Sequence, residues 1–216
     1  SASIRFMPMP SNVGGWMIKR IFSLCLLWIA CCGFSHNAYL WKRMPDGIDE
    51  NSVKCVTVID DAEQVLVAAT NRAVYRLDGR EGNFYQVLAF PTGQTEVYAI
   101  YASGQWVAVA TSEGVWGSDD QGRHWEHVFR SVNELHRICF SVFILGDEIF
   151  IGTADGVFRR TGSGEEWLRH RGALSSEPVY AITGDSRYVF FSAGDGIYRE
   201  EIAGSAAAEK IFTITS

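Results

Sequence analysis

The chain has 216 residues, enough for a substantial core, with 47% hydrophobic and 13% aromatic residues and a formal net charge of −6. Arg5, Lys19 and Arg20 are the charged residues of the first 35, so the remaining 16 basic and 25 acidic residues leave a body of −9. That balance excludes a general nucleic-acid binder and a protein that adheres to anionic membranes.

In chain order, Met17-Ile-Lys-Arg20 followed by the apolar run Ile21–Phe34 has the basic start and apolar stretch of a signal peptide. Gly33-Phe-Ser35 supplies a small-residue cleavage site, and Ala38 a second option. Ser1–Trp16 reads as upstream sequence carried in frame, so residues 1–35 are assigned to read-through plus leader and 36–216 to the folded body. The apolar run is short for a membrane span. The expected location is therefore periplasmic or extracellular, in a bacterium. Membrane attachment is expected only through an uncleaved leader or a lipid anchor; Cys31, after Trp-Ile-Ala, is a poor match to a lipoprotein box.

Tyr39–Met44 reads as a strand carrying Trp41, and a fourfold repeat follows. Val67-Ala-Ala-Thr70-Asn-Arg-Ala-Val74-Tyr75 matches Ala108–Trp116, Phe150–Phe158 and Phe190–Tyr198. The steps from Val74 to Val115, Val157 and Ile197 are 41, 42 and 40 residues. Upstream of each copy lies another strand, at Val56–Ile59, Val97–Ile100, Cys139–Val142 and Val179–Ile182. A period near 40, rich in strand formers and Gly turns, predicts propeller blades of four strands, a to d. In the second repeat these are Val97–Ile100, Trp106–Ala110, Val115–Gly117 and Trp125–Phe129. The b strands are nearly continuous apolar runs, as in sheets buried on both faces. Asp155-Gly and Asp195-Gly mark b-to-c hairpin turns. A β-sandwich also has short strands at regular spacing, but it does not repeat one frame four times. The expected fold is all-β, a propeller with repeats near 53–96, 97–137, 138–178 and 179–216.

Between the second c and d strands lies Ser118-Asp-Asp-Gln-Gly-Arg-His-Trp125. Asp120 can accept bonds from turn N–H groups, Gly122 can take positive φ, and Trp125 buries a large ring. The spacing of Ser118, Asp120, Gly122 and Trp125 resembles the Asp-box of bacterial-neuraminidase-type repeats, with His124 where that family usually has Thr. Gly164-Glu-Glu-Trp167 matches its second half. Proteins with this frame include photosystem II assembly-factor-like proteins, sortilin-type receptors, xyloglucan-cleaving glycosidases and sialidases. The resemblance implies a propeller in which d-to-a and b-to-c loops share one face. Asp120 then belongs to the opposite face, in a structural role.

The d-to-a connections carry Arg130, His136 and Arg137 in one loop and Arg169, His170 and Arg171 in the next, a local basic patch on an acidic protein. Arginine forks suit carboxylate, sulfate or phosphate groups; solvated rim charge is the plainer reading. Glu113, Asp155 and Asp195 sit in the b-to-c turns of the same face. Cys55 and Cys139 are expected as separate thiols on a strands of non-adjacent blades. No Cys-x-x-Cys, His-Glu-x-x-His or Walker loop occurs, so neither a metal nor another cofactor is expected. The resemblance implies an exported, non-catalytic binding protein, photosystem-assembly-factor-like, whose d-to-a face takes a protein or glycan, anionic in part. The alternative is a glycoside hydrolase, for which Glu96, Glu134, Asp155, Glu177 and Asp195 are the available carboxylates. Because Ile211–Thr215 reads as the fourth blade's own d strand, Trp41 is expected to belong to a further blade and the four repeats to form part of a larger ring.

Overall fold

The computed structural model describes residues 46–60, 63, 65–79, 82–91, 95–161, 166–202 and 207–214. The leader, its cleavage sites and the Tyr39–Met44 strand lie outside the described residues. Met44–Ser216 is one compact unit. It contains four antiparallel sheets of four strands, each with strands in chain order. The first is β1 (Cys55–Asp60), β2 (Val65–Ala69), β3 (Ala73–Leu77) and β4 (Tyr85–Ala89). The second is β5 (Val97–Ser103), β6 (Trp106–Thr111), β7 (Gly114–Ser118) and β8 (Glu126–Phe129). The third is β9 (Cys139–Leu145), β10 (Glu148–Thr153), β11 (Gly156–Thr161) and β12 (Leu168–Arg169). The fourth is β13 (Val179–Gly184), β14 (Tyr188–Ala193), β15 (Gly196–Glu201) and β16 (Glu209–Thr213). The expected final d strand is present two residues early and pairs with β15, Ile197 opposite Phe212. Two helical turns interrupt the strands: α1 (Glu134–Arg137), capped by Asn133, and a 3-10 turn at Gly172–Leu174.

Three apolar clusters hold the sheets to one another. Val67, Val74, Val97 and Val109 join blades 1 and 2, with Leu88 and Ile100 packed against them. Val115, Phe129, Cys139, Val142 and Ile144 join blades 2 and 3. Val157, Val179 and Ile182 join blades 3 and 4. The c-strand residues Val74, Val115 and Val157 are fully buried. At about 25 cal/mol per Å² of apolar area, these contacts between sheets are the main favourable term. Close approach demands small residues on the b strands. A Cβ on Gly152 would come within 2.5 Å of the Val179 carbonyl oxygen and 2.4 Å of Ser141 Oγ; Ala69 and Ala110 occupy the equivalent sites.

One feature of the inner strands departs from the sequence alignment. Blades 2, 3 and 4 share a bulge that leaves Tyr98, Phe140 and Tyr180 out of the ladder. Blade 1 is regular there and instead shifts register between Val58 and Asp60. Val56, opposite Ala68, therefore corresponds to Ile100, Val142 and Ile182, and not to Val97, Cys139 and Val179 as the residue pattern suggested.

Buried threonines close the b-to-c turns. Thr111 Oγ1 donates to the Gly114 carbonyl at 2.8 Å and accepts from Glu113 N–H at 3.1 Å. Thr153 repeats this with Gly156 and Asp155 at 2.9 and 3.1 Å. Thr70 accepts from Arg72 and Ala73 N–H. Blade 4 has Ala193 at that place.

The Ser118–Trp125 turn is a dense hydrogen-bonded knot. Ser118 Oγ donates to Asp120 Oδ1 and accepts from Gly122 N–H, both at 2.8 Å. Asp120 also accepts from the N–H groups of Arg123 and His124, at 3.0 and 2.9 Å. Gln121 (φ 64°) and Gly122 (φ 80°) both adopt the left-handed conformation. Trp125 Nε1 donates to the Gly122 carbonyl at 3.0 Å. The turn rests on blade 1 through Val67 and Ile59 and through Arg76, which is fully buried. One guanidinium nitrogen of Arg76 donates to the Gln121 carbonyl, and the other lies 2.6 Å from Asp78 Oδ1.

Gly152→Ala is expected to destabilise the protein by about 1–3 kcal/mol, because neighbouring backbone must shift to admit the methyl group; equilibrium denaturant melts measure it. Burial opposes ionisation of Asp120, but bonds from His124, Ser118 and Arg123 outweigh it and hold its carboxyl well below the usual range. A depressed carboxylate stabilises the fold above its unfolded pKa of about 3.9, and that contribution disappears as pH falls through the folded value. Asp120→Ala is therefore expected to cost about 1 kcal/mol at neutral pH, with the gap to the parent protein narrowing in melts below about pH 4.

Candidate functional site

The d-to-a and b-to-c connections meet on one face of blades 1–3. Between them lies an open cavity of about 290 Å³. Pro91 and Thr95 reach it from the β4–β5 connection and Glu113 from the β6–β7 turn; Arg130, Ser131 and Arg137 come from the β8–β9 connection. Trp116 and His127, also in the lining, are direct cross-strand partners on β7 and β8. Their rings stack at 4.5 Å with planes 9° apart. Arg130 Nε donates to His127 Nδ1, which fixes that nitrogen as an acceptor and the imidazole as neutral. Burial, then the Arg130 charge, pushes the His127 pKa down, against a weaker opposing contact with the Glu113 backbone. Arg137 Nε lies 3.6 Å from Glu113 Oε2.

The other basic residues singled out in the sequence go elsewhere. His136 and Arg169 converge on Asp155, at 2.8 and 2.7 Å from Oδ2. Arg169 also donates to the Ser175 carbonyl. His170 pairs with Glu200 at 2.7 Å and is largely buried. Arg171 precedes the 3-10 turn and lines a second, larger open cavity of about 680 Å³ with Leu168, Arg169, His170, Gly172 and Ser175. The six residues thus divide: Arg130 and Arg137 share the Trp116 cavity, where Arg137 faces Glu113, Arg171 lines the second cavity, and His136, Arg169 and His170 hold acidic partners.

A second element of this face was not read from the sequence. The three bulge residues form an aromatic row, Tyr98 to Phe140 at 5.3 Å and Phe140 to Tyr180 at 5.2 Å between ring centres. Tyr98 and Tyr180 are exposed. The row begins three residues after Thr95 and passes three residues after Arg137, both of which line the cavity. Tyr98 donates to Glu96 at 2.8 Å. Burial, with that bond and the Glu96 charge, pushes its hydroxyl pKa up to about 12. The signal was available: an aromatic follows the first residue of the a strand in three repeats, as Val-Tyr, Cys-Phe and Val-Tyr.

Among the described residues, no group of three or more His, Cys, Asp or Glu side chains lies together as a metal site. Cys55 and Cys139 are both free thiols, and burial raises the pKa of each.

Solved structures match this arrangement of sheets. The extracellular domain of BT4673 from B. thetaiotaomicron superimposes with a TM-score of 0.61 at 18% identity, over 77% of this chain and 23% of that one. YCF48 bound to D1 peptide matches with a TM-score of 0.56 at 13% identity, over 77% of this chain and 60% of that one. The fold is a β-propeller. An ancestral GH74 enzyme matches at 0.53 and 17% identity, over 76% of this chain and 25% of that one. The chain thus spans about a quarter of the first and last of these proteins. No protein-family model matches it, and neither does any curated protein.

A His whose folded pKa lies below its unfolded value of about 6.5 takes up its proton more readily when unfolded, so stability falls as pH drops through that value. His127→Phe keeps the stack on Trp116 and removes the titration. Its thermal melts are expected to fall less than those of the parent protein between pH 7 and 5.

Proposed function

We propose that this chain is a non-catalytic binding propeller of the Asp-box type that holds an acidic protein segment on its d-to-a face. One observation carries the reading: a cavity holds a stacked Trp116–His127 pair and two arginines, Arg130 and Arg137, and the aromatic row Tyr98–Phe140–Tyr180, exposed at Tyr98 and Tyr180, starts three residues after Thr95 of its lining. A peptide carboxylate fits the arginine pair, where charge-assisted bonds are worth about 1.5–3 kcal/mol each. The adjoining chain lies across the aromatic row, whose rings offer contact area at small cost in side-chain entropy. The YCF48 structure, bound to a peptide, supports a protein ligand. Export to the periplasm or cell surface is part of this proposal, on the strength of the leader.

The GH74 match favours a glycoside hydrolase as the second reading. That chemistry needs two free carboxyl groups flanking the scissile bond. Asp155 is engaged by His136 and Arg169, Asp195 by Lys210 and Tyr198, and Glu96 receives the Tyr98 hydroxyl. These pairings weigh against Asp155, Asp195 and Glu96 as the catalytic carboxylates, which leaves Glu134 and Glu177 of the five candidates.

The test is a fluorescence-anisotropy screen of the full chain against acidic and neutral peptides, with a fluorogenic-glycoside assay alongside. An acidic peptide is expected to bind, more weakly as salt screens the exposed charges. Joint Arg130→Ala and Arg137→Ala substitution is expected to weaken it by roughly 10–100-fold, with the melting curve kept, and Arg171→Ala to leave it unchanged. Glycan binding or glycoside cleavage without peptide binding overturns the reading.

A further inference from the structure

The two arginines of the Trp116 cavity are held in different ways. The His127 ring is locked between its stack on Trp116 and the Gly114 backbone, so close that a Cβ on Gly114 would lie 2.7 Å from Nε2. Its Nδ1 takes the Arg130 Nε–H. Among the described residues, that bond leaves both terminal nitrogens of Arg130 without a partner, so the guanidinium presents its forked end. Arg137 Nε lies 3.6 Å from Glu113 Oε2, too far for a hydrogen bond, and is buried with no hydrogen-bond partner. Glu113 therefore offsets the charge of Arg137 without occupying that nitrogen. It is the one acid among the residues that line the cavity. With His127 neutral, two arginines against one glutamate leave the lining a single positive charge in excess. The backbone that carries Glu113 is fixed: its N–H donates to buried Thr111 Oγ1 at 3.1 Å, and the Ser112 N–H donates to the Glu96 carbonyl at 2.9 Å.

We propose that Glu113 makes this cavity selective for the singly charged carboxylate of a glutamate or aspartate side chain over a doubly charged phosphate. This selectivity rests on the acidic-segment reading above and adds which anion is taken. A planar carboxylate matches the two-pronged end of Arg130, and its one charge neutralises the excess. A phosphate dianion brings a second charge beside the Glu113 carboxylate, and like charges set together at a contact are costly. An acid placed in a basic site in this way acts against the competitor more than for the chosen ligand.

The test is fluorescence anisotropy on the full chain at about pH 7.5, where phosphoserine carries nearly two negative charges. The probes are three labelled peptides that differ only in a central glutamate, phosphoserine or glutamine. The glutamate peptide is expected to bind, and the phosphoserine peptide to bind about tenfold more weakly. Glu113→Gln keeps the size and removes the charge. It is expected to bring the phosphoserine peptide level with the glutamate peptide or tighter, with the melting curve kept, and Glu113→Ala to do the same. A parent chain that binds phosphoserine as tightly as glutamate overturns the selectivity and leaves the acidic-segment reading standing. So does a pair of Glu113 variants that keep the parent's ratio. A parent chain that binds all three peptides alike, or none of them, overturns the acidic-segment reading and the selectivity with it.

Discussion

The structure depends on one contact repeated three times: a c-strand valine pressed into the inner strand of the next blade. A single blade cannot bury its own apolar faces and needs its neighbours to do so. Val74, Val115 and Val157 are buried only because Ile100, Val142 and Ile182 are brought to them. Every other regularity serves that contact. Gly152, Ala110 and Ala69 keep the b strands thin where the next blade approaches, and the buried threonines hold the b-to-c turns so that the valine after each turn points the right way.

The repeat made this architecture legible. Val74, Val115, Val157 and Ile197 recur at nearly constant spacing because each blade solves the same packing problem. What the pattern could not locate was a bulge. An extra unpaired residue leaves the apolar composition of a strand unchanged, so Val56 aligned naturally with Val97, although the ladder sets it level with Ile100. The aromatic row was hidden for the same reason. Tyr98, Phe140 and Tyr180 look like ordinary outward strand residues until the bulge turns them toward one another.

The functional face was legible in outline. Loop position placed Arg130, Arg137, Arg169 and His170 on the connections between blades, but their partners come from elsewhere in the chain. Arg169 meets an aspartate 14 residues earlier, and His170 a glutamate 30 residues later. Such pairings are set by tertiary register. The Trp116–His127 stack is also a matter of register, since the two residues are neighbours only across the β7–β8 ladder. Arginines that already hold acids in the fold contribute less to binding a new acid; in the cavity around Trp116 Arg130 has a histidine as its partner, while Arg137 faces Glu113 at 3.6 Å.

Arg76 ties the first two blades together by a polar contact, as His170 and Arg159 with Glu200 tie the third to the fourth. In a series of repeats that touch only their neighbours, each interface can open nearly independently. A guanidinium with no exposed surface, held by a carbonyl of the neighbouring blade's turn and by Asp78 of its own blade, makes separation of the two costly. The outer strand of blade 3 is only two residues long, so that blade leans on the buried Val157–Val179–Ile182 contact and the His170–Glu200 pair more than on its own ladder.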